Sequence, residues 1–345
     1  MTRTSFHIGN LPIGDSNPIS IQSMSDIKTE NVKANIVLTE QLRDIGLQMM
    51  RFSVLDEKDA YALKEIKHAV HVPVVADIHF NLKLAFLALA SGVDKIRINP
   101  GNYNGEALLR NLIRDCKEKG VAIRIGINSG SLARYQKKTE SDSEAFLLAL
   151  EETVAIFREE NFDHLVLSVK STDPKMTSHL AHLAYSHYPY PLHIGLTESG
   201  TPLIGAIRST YALASLLEEG IGDTLRISLQ GSRIGEIRAC KELLSLTGRR
   251  KNLPTLIVCP GCGRTQIDLS EVAEEVQSLL DHVNKPYQVA VMGCPVNGIG
   301  EAKSADCGIA GSGKENVYLY FEHGHEVGLF TKEEALRHIK DYLYK

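Results

Sequence analysis

The sequence predicts an α/β protein: a parallel (β/α)8 barrel followed by a small α+β domain. Two observations indicate this fold. Eight short apolar runs rich in β-branched residues alternate with amphipathic stretches from residue 18 onward, and a different order of elements begins near residue 250. Strands that alternate with helices form right-handed βαβ units and a parallel sheet. Eight such units have the size of a closed barrel.

The eight barrel strands are predicted at Ile19–Ser23, Met49–Val54, Val72–Ile78, Lys95–Asn99, Ala122–Ile127, His164–Lys170, Leu192–Thr197 and Thr224–Leu229. Helical patterns lie between and after them, at Val32–Ile45, Glu57–Ala69, Leu82–Ala90, Gly105–Lys119, Ser143–Glu160, Met176–Tyr185, Ile204–Glu219 and Gly235–Leu246. A doubly wound sheet is the competing arrangement. No Gly-rich dinucleotide turn follows any of these strands, which favours the barrel.

A polar segment, Thr247–Asn252, is predicted to end the barrel, so the expected domains are residues 1–248 and 249–345. The second domain shows a mixed pattern of strands and helices. Its strands are predicted at Pro254–Val258, Tyr287–Met292, Val317–Phe321 and Glu326–Phe330, and its helices at Glu271–Val283 and Lys332–Tyr342.

Composition excludes several classes of protein. The formal net charge of −4 gives no basic excess for nucleic-acid binding. No apolar run approaches the roughly 18–20 residues needed to span a bilayer. The first residues lack the apolar core of a secretory signal. We therefore expect a cytoplasmic protein without nucleic-acid or membrane partners.

Charged and polar side chains lie at the predicted strand ends, where a barrel places its chemistry. They are Arg51, Asp77, His79, Arg97, Asn99, Arg124, Asn128, Lys170, Glu198, Arg226 and Ser228. Five of these side chains are cations: Arg51, Arg97, Arg124, Lys170 and Arg226. Any one of them alone could simply be solvated at the end of its strand. Together they outnumber the acids, and buried cations need partners. Because arginine suits bidentate phosphate contacts, the set predicts an anion site.

Two alternatives concern single residues of this rim. Asp77 and His79 face the same side of a strand and could bind a metal, but one such pair is weak evidence, and we favour a hydrogen-bonded structural pair. Lys170 near the end of the sixth strand could form a Schiff base, as in class I aldolases. That chemistry is the main rival for the barrel.

Four of the six cysteines lie within the last 90 residues. Cys259 and Cys262 form a C-P-G-C segment after one predicted strand, and Cys294 precedes a proline after another. Cys307 lies in a stretch that reads as a buried strand. A Cys followed by Pro recurs in iron–sulfur sites, which favours a cluster over structural zinc or a redox dithiol. Three thiolates would leave one iron for a weaker oxygen ligand, for which Glu301 is the candidate.

The remaining two cysteines, Cys116 and Cys240, lie inside helical patterns, and we interpret both as small buried hydrophobic residues.

The sequence resembles the 4-hydroxy-3-methylbut-2-enyl diphosphate synthase family of the non-mevalonate isoprenoid pathway. The likeness runs nearly end to end. It rests on the motifs IQSM, VVADIHF, RINPGN, IRIGIN, LSVK, GLTESG, EGIGDTLRISL, CPGC and GCPVNGIGEA. The resemblance implies reductive ring opening of 2-C-methyl-D-erythritol 2,4-cyclodiphosphate with two electrons and release of water.

The resemblance also implies roles for particular residues. A [4Fe–4S] cluster would be held by Cys259, Cys262, Cys294 and Glu301. Arg51, Arg97, Arg124, Lys170, Arg226 and Ser228 would bind the diphosphate. Glu198 would be the acid/base residue of the barrel, and Asn297 would reach the substrate from the cluster side.

The implied partners are flavodoxin or ferredoxin as electron donor and a second copy of the chain. In such a homodimer the cluster domain of one chain would close over the barrel of the other.

This chain departs from the family pattern at two places. Ile299 stands where the family usually has proline, and the usual Asp-Pro after the eighth strand is absent from SLQGSRIGEI. Two rivals to the family's activity remain. One is a class I aldolase using Lys170 with a zinc-stabilised tail, and the other is a cluster-bearing electron carrier.

Overall fold

A computed structural model describes residues 2–99, 105–128, 132–296, 301–314 and 317–345. Within these ranges it does not describe the side chains of Asn128, Ala133, Arg134, Glu301 and Lys303. The chain divides into two compact units, Met1–Arg249 and Arg250–Lys345. In the part of the chain that is described, no helix has the length and apolar character needed to cross a membrane.

A two-stranded antiparallel hairpin precedes the barrel: β1 (Ser5–Ile8) pairs with β2 (Leu11–Gly14). Ile8 and Ile13 on these strands are fully buried. They pack against apolar residues near the starts of the barrel strands, namely Met49, Val75, Ala122 and Val166. The hairpin therefore plugs the amino-terminal end of the barrel. We did not predict it, because each strand is only four residues long and carries few apolar side chains.

Eight parallel strands follow, and they confirm the predicted barrel. They are β3 (Ser20–Met24), β4 (Met49–Val54), β5 (Val74–Ile78), β6 (Lys95–Ile98), β7 (Ala122–Asn128), β8 (Leu165–Lys170), β9 (His193–Ile194) and β10 (Thr224–Leu225). Their hydrogen-bonded order is β8-β7-β6-β5-β4-β3-β10-β9. A bridge between Leu167 and Leu192 joins the two edges, so the sheet closes on itself.

The helices of the first unit alternate with these strands. They are α1 (Val32–Asp44), α2 (Glu57–Ala69), α3 (Lys83–Ala90), α4 (Glu106–Lys119), α5 (Ala133–Gln136), α6 (Asp142–Glu159), α7 (Pro174–His187), α8 (Pro202–Glu218) and α9 (Arg233–Leu246). Several begin at residues that favour helix starts. The side chains of Asp56, Ser141 and Asp173 accept hydrogen bonds from backbone N–H groups in the first turns of α2, α6 and α7.

The two faces of each barrel strand carry different side chains, because successive residues of a strand point to opposite sides. Along β6, Ile96 and Ile98 belong to the large core that includes residues of the surrounding helices. Lys95 and Arg97 alternate with them and are buried too. The inner face of the barrel therefore carries polar side chains above the hairpin plug. These inward-facing side chains form the candidate site.

The second unit contains a five-stranded sheet in sequence order. Its strands are β11 (Thr255–Val258), β12 (Gln288–Met292), β13 (Cys307–Gly311), β14 (Tyr318–Glu322) and β15 (His325–Phe330). The first three strands are parallel, and the last two pairings are antiparallel. Helices α10 (Leu269–Leu280) and α11 (Lys332–Leu343) bury Val272, Val276, Ala335 and Ile339 in the same core as β12 and β13. This is the predicted α+β fold.

Candidate active site

A cavity of about 120 Å³ lies at the carboxyl ends of the barrel strands. It is lined by Arg51, Arg97, Arg124, Gly126, Ile127, Ser168, Lys170, Leu196, Thr197, Arg226 and Ser228. The structure thus brings together the five predicted cations and the predicted serine. They come from five different strands or strand ends, as expected for a barrel mouth.

Asp77 neutralises part of this positive charge. Its Oδ1 lies 3.1 Å from Arg97 Nη1, and its Oδ2 lies 3.6 Å from Arg51 Nε. Burial alone would raise the pKa of Asp77, but Arg51 and Arg97 hold it below its ordinary value. The carboxylate is therefore ionised at neutral pH and serves two arginines at once.

His79 extends this group. Its Nε2 lies 3.3 Å from Arg97 Nη1, and its Nδ1 lies 4.0 Å from Asp77 Oδ1. Burial lowers the pKa of His79. Asp77 opposes this shift, and Arg97 and Arg51 add to it. A neutral imidazole beside an Asp–Arg pair is a hydrogen-bonded arrangement, so the geometry does not require a metal at Asp77 and His79.

Glu236 on α9 is a second carboxylate, which sequence reasoning missed. Its Oε1 lies 3.0 Å from Arg226 Nη2, and its Oε2 lies 3.2 Å from Arg226 Nε. Nothing in the local sequence distinguishes it from the other acidic residues of an amphipathic helix. Only the packing of α9 against the barrel reveals it.

Arg124 and Lys170 retain the surplus charge. Arg124 is 2% exposed, and its Nε and Nη1 have no hydrogen-bond partner among the described residues. Burial, reinforced by Arg124 and the other rim arginines, lowers the pKa of Lys170 well below its ordinary value. Burial likewise lowers the pKa of Arg124, with Arg51 and Arg97 adding to the effect. Five cations therefore share two carboxylates in the described structure, and a bound anion would relieve their repulsion.

A further polar layer lies deeper in the barrel. Lys95 is fully buried, and its Nζ donates to Gln22 Oε1 at 3.1 Å and contacts Met49 Sδ at 2.8 Å. Burial, together with Arg124 and Arg51, lowers the pKa of Lys95 well below its ordinary value. Sequence reasoning missed this lysine. The available signal was its position two residues before Arg97, on the same face of β6.

Two other predicted residues, Asn99 and Glu198, are not part of the cavity lining. Asn99 is buried directly after β6, and Asn128 ends β7 with a side chain outside the described part. Glu198 requires a correction. The seventh strand ends at Ile194 rather than Thr197, and Glu198 lies in the following bend with a φ of 51°. Its side chain is exposed and is not part of the cavity lining, whereas the predicted strand end would have placed it at the mouth.

The predicted cysteine ligands follow two neighbouring strands of the second unit. Cys259 comes directly after β11, and Cys294 lies two residues after β12. The two strands are paired in parallel, with Val258 opposite Val291. Both thiols are therefore at the same edge of the sheet, and both are buried.

Cys262 is exposed on the turn that follows Cys259. Its backbone N–H donates to Thr265 Oγ1 at 3.0 Å. The N–H of Gln266 in turn donates to the carbonyl oxygen of Gly293 at 2.9 Å, which ties this turn to the end of β12. Hydrogen bonding to Arg264, mainly its backbone N–H, lowers the pKa of Cys262. The turn thus favours the thiolate form that binds metals.

Cys307 has a different environment. It begins β13, where it aligns with Val289 near the start of β12 rather than with the end that carries Cys294. It is fully buried, and burial raises its pKa to about 12. These features are those of a core residue. Cys116 and Cys240 are likewise buried, in α4 and α9.

Three further predictions fall wholly or partly outside the described part of the chain. Asn297 and Ile299 lie outside the described residues, and Glu301 begins a short 3-10 helix, Glu301–Ser304, without a described side chain. Among the described side chains, no group of three or more His, Cys, Asp and Glu residues is arranged to hold a metal ion. The donor chemistry of Cys259, Cys262 and Cys294 nevertheless fits a thiolate-held cluster, since three thiols follow two paired strands.

Fold and sites together define a β/α-barrel protein with a cationic mouth, whose chain continues into an α+β unit that carries the three predicted cysteines. The chain belongs to the GcpE family. The family model described as the GcpE TIM-barrel domain matches residues 3–241, and that described as the GcpE protein C-terminal domain matches residues 255–345.

Curated relatives agree with this assignment. The chain is 40% identical to a protein of Lysinibacillus sphaericus over 98% of this chain and 91% of that one. It is 42% identical to a protein of Caldanaerobacter subterraneus subsp. tengcongensis over 95% and 92% of the two chains. Both are named 4-hydroxy-3-methylbut-2-en-1-yl diphosphate synthase (flavodoxin). The predicted family and the predicted oxidoreductase class are confirmed.

Solved structures resemble the barrel. Dihydropteroate synthase of Yersinia pestis matches with a TM-score of 0.51 at 12% identity, over 72% of this chain and 98% of that one. The Xanthomonas albilineans enzyme of the same name matches with a TM-score of 0.51 at 13% identity, over 72% and 99%. At this identity the likeness concerns the fold alone.

Proposed function

We propose that this protein converts 2-C-methyl-D-erythritol 2,4-cyclodiphosphate to 4-hydroxy-3-methylbut-2-enyl diphosphate. The reaction opens the ring, takes up two electrons and two protons, and releases one water. One observation carries the proposal: five cations surround a single cavity with only two carboxylates beside them in the described structure. The names of the relatives supply the matching product.

In this proposal residues 1–248 bind the substrate. The guanidinium groups of Arg51, Arg97, Arg124 and Arg226 would hold the diphosphate, together with Lys170 and Ser228. Arg124 has unused N–H donors, and Lys170 has no carboxylate partner among the described residues. These two therefore gain most from the anion. Asp77 keeps two arginines in place when the site is empty.

Residues 249–345 would hold the cofactor. Cys259, Cys262 and Cys294 are the proposed thiolate ligands of a [4Fe–4S] cluster, with Glu301 as the fourth ligand. The cluster would supply the electrons singly. The chain's own contribution there is positional, since Thr265 and Gly293 fix the turn that carries Cys262.

We propose Glu198 for proton handling. Its exposed position means that the bend following β9 must bring the carboxylate to the bound substrate. A left-handed backbone at a non-glycine residue is strained, and strain of this kind collects at functional sites.

The proposed partners are flavodoxin or ferredoxin as electron donor, and a second copy of the chain. The names of the relatives support flavodoxin. Four large apolar residues on α8 support self-association: Leu203, Ile204, Ile207 and Tyr211 are all exposed. Their spacing places them along one side of the helix, and exposed apolar patches mark protein interfaces.

One observation favours the aldolase alternative. The depressed pKa of Lys170 is also what an amine needs to attack a carbonyl group. Borohydride reduction in the presence of an aldehyde or ketone substrate would then label Lys170 covalently. The reductive mechanism predicts no such label.

The direct test is anaerobic purification with iron and sulfide analysis, followed by incubation with the cyclic diphosphate and a low-potential reductant. We expect about four irons and four sulfides per chain, and formation of the linear diphosphate. An iron-loaded protein that leaves the substrate unchanged, or a borohydride label on Lys170, would contradict the proposal.

A further inference from the structure

We propose that Glu236 is a positioning residue for the anion site, acting through Arg226. The inference rests on the proposed diphosphate site and concerns a residue that does not line the cavity. Glu236 lies in the first turn of α9 and is completely buried. A buried carboxylate requires several donors, and its donors here all belong to elements that form the mouth.

Five hydrogen bonds converge on this carboxylate. Oε2 accepts from Ser23 Oγ at 2.6 Å and from Arg226 Nε at 3.2 Å. Oε1 accepts from Arg226 Nη2 at 3.0 Å, from Arg233 Nη1 at 2.6 Å and from the backbone N–H of Leu229 at 3.1 Å. Both oxygens are thus fully used, and two barrel strands are tied to α9 through one side chain.

The bidentate contact fixes the orientation of Arg226. Its Nε and Nη2 face Glu236, which leaves Nη1 for the cavity that the same side chain lines. Regular strand pairing ends at Leu225. The backbone N–H of Arg226 still donates to the carbonyl oxygen of Ile194 at 3.2 Å, but backbone pairing does not fix the direction of the guanidinium group. Glu236 supplies the missing constraint.

The same carboxylate organises the loop between β10 and α9. Arg233 contacts Glu236 and also donates to the carbonyl oxygens of Leu229, at 2.8 Å, and Gly231, at 2.9 Å. Gly231 adopts a φ of 84°, which glycine tolerates. These contacts close the loop that begins directly after Ser228. This is the segment where the sequence departs from the family's Asp-Pro pattern.

Positioning and simple electrostatics make opposite predictions for Glu236. Its negative charge repels a bound diphosphate, so a purely Coulombic role predicts that Glu236→Gln binds the anion more tightly. If Glu236 orients Arg226, the same substitution binds it more weakly, because the amide nitrogen of Gln cannot accept from the guanidinium. The direction of the change therefore decides between the two roles.

The experiment is calorimetric titration of the anaerobically reconstituted protein with the cyclic diphosphate. We expect Glu236→Gln to weaken binding by about tenfold or more, as loss of charged hydrogen bonds does. Glu242→Gln is the matched control: it makes the same change at an exposed position of α9 and should bind normally. Glu236→Asp keeps the charge and should fall between wild type and Glu236→Gln.

A double-mutant cycle tests the route through Arg226. Arg226→Met alone should weaken binding, and adding Glu236→Gln should weaken it no further. Unchanged or tighter binding by Glu236→Gln, or fully additive effects in the cycle, would overturn the inference. If Glu236→Gln does not fold, normal binding by Glu236→Asp and by Arg233→Met would overturn it. A wild-type protein that binds no diphosphate would instead overturn the proposed function on which the inference rests.

Discussion

Gly195 lies directly against Lys170: a Cβ on this glycine would fall 2.6 Å from Lys170 Nζ, and closer still to the carbonyl oxygen of Arg226. The first residue after β9 thus has no room for a side chain, because the backbone carbonyl group of Arg226 and the amine of Lys170 together occupy the space. We predict that Gly195→Ala displaces Lys170 and weakens diphosphate binding at least about tenfold, the cost of one charged contact. Titration calorimetry measures this.

Gly235→Ala is the control for this substitution. Gly235 has ordinary helical geometry, and an added Cβ would come no closer than 3.9 Å to Leu229. This variant should bind the diphosphate as the wild type does. Normal affinity in Gly195→Ala would show that the close approach to Lys170 has no role in binding.

A second prediction concerns pH. The pKa of Lys170 is lowered in the empty site, and a bound dianion would raise it again. Binding should therefore take up protons, and affinity should fall as the pH rises through the lowered pKa of the free protein. Calorimetry in two buffers of different ionisation enthalpy measures the uptake, which Lys170→Met should reduce. Equal uptake in the wild type and Lys170→Met would assign the proton to another group.

Strand patterns predicted the barrel because β-branched runs alternate with helices, but they overestimated its last two strands. Regular pairing covers only His193–Ile194 and Thr224–Leu225. Beyond these points the regular pairing stops, although the N–H of Arg226 still donates to the carbonyl oxygen of Ile194 at 3.2 Å. A run of apolar residues in the sequence does not reveal where the backbone hydrogen bonds between two strands end.

The third prediction concerns Glu198, whose exposed position leaves two roles to distinguish. If it handles protons, Glu198→Gln should retain the cluster and bind substrate at least as tightly, but lose about 100-fold or more in turnover. If the residue is structural, turnover under saturating reductant should stay near normal. Steady-state turnover, together with the cluster absorption spectrum, separates the two roles.

The fourth prediction concerns the cysteines. Cys259→Ser, Cys262→Ser and Cys294→Ser should each lose the cluster, because three thiolates are the proposed minimum to hold it. Cys307→Ser should keep it, since Cys307 lies at the other end of the sheet. Iron content after anaerobic reconstitution measures the outcome. An iron-free Cys307→Ser beside an active, fully loaded Glu301→Gln would overturn the ligand assignment.

Some residues of the site could be predicted from the sequence, and others could not. Cations at strand ends can be read from sequence, since apolar residues are expected there. Lys95 could have been identified from its position two residues before Arg97, on the same face of β6. Glu236 could not, because glutamate usually lies at the surface and only tertiary packing buries it. Glu198 was misplaced because the strand was assumed to continue to Thr197. The order of the sequence motifs identified the family. The directions in which the side chains point follow only from the three-dimensional structure.

Arg124 tests the central claim most directly, because it lines the cavity, is buried and has unused donors among the described residues. The measurement is the dissociation constant of the cyclic diphosphate for the wild type and Arg124→Met, with cluster absorption recorded for both. We predict binding by the wild type, at least about tenfold weaker binding by the variant, and identical cluster spectra. Equal affinity in the two proteins would contradict the assignment of the barrel mouth as the diphosphate site.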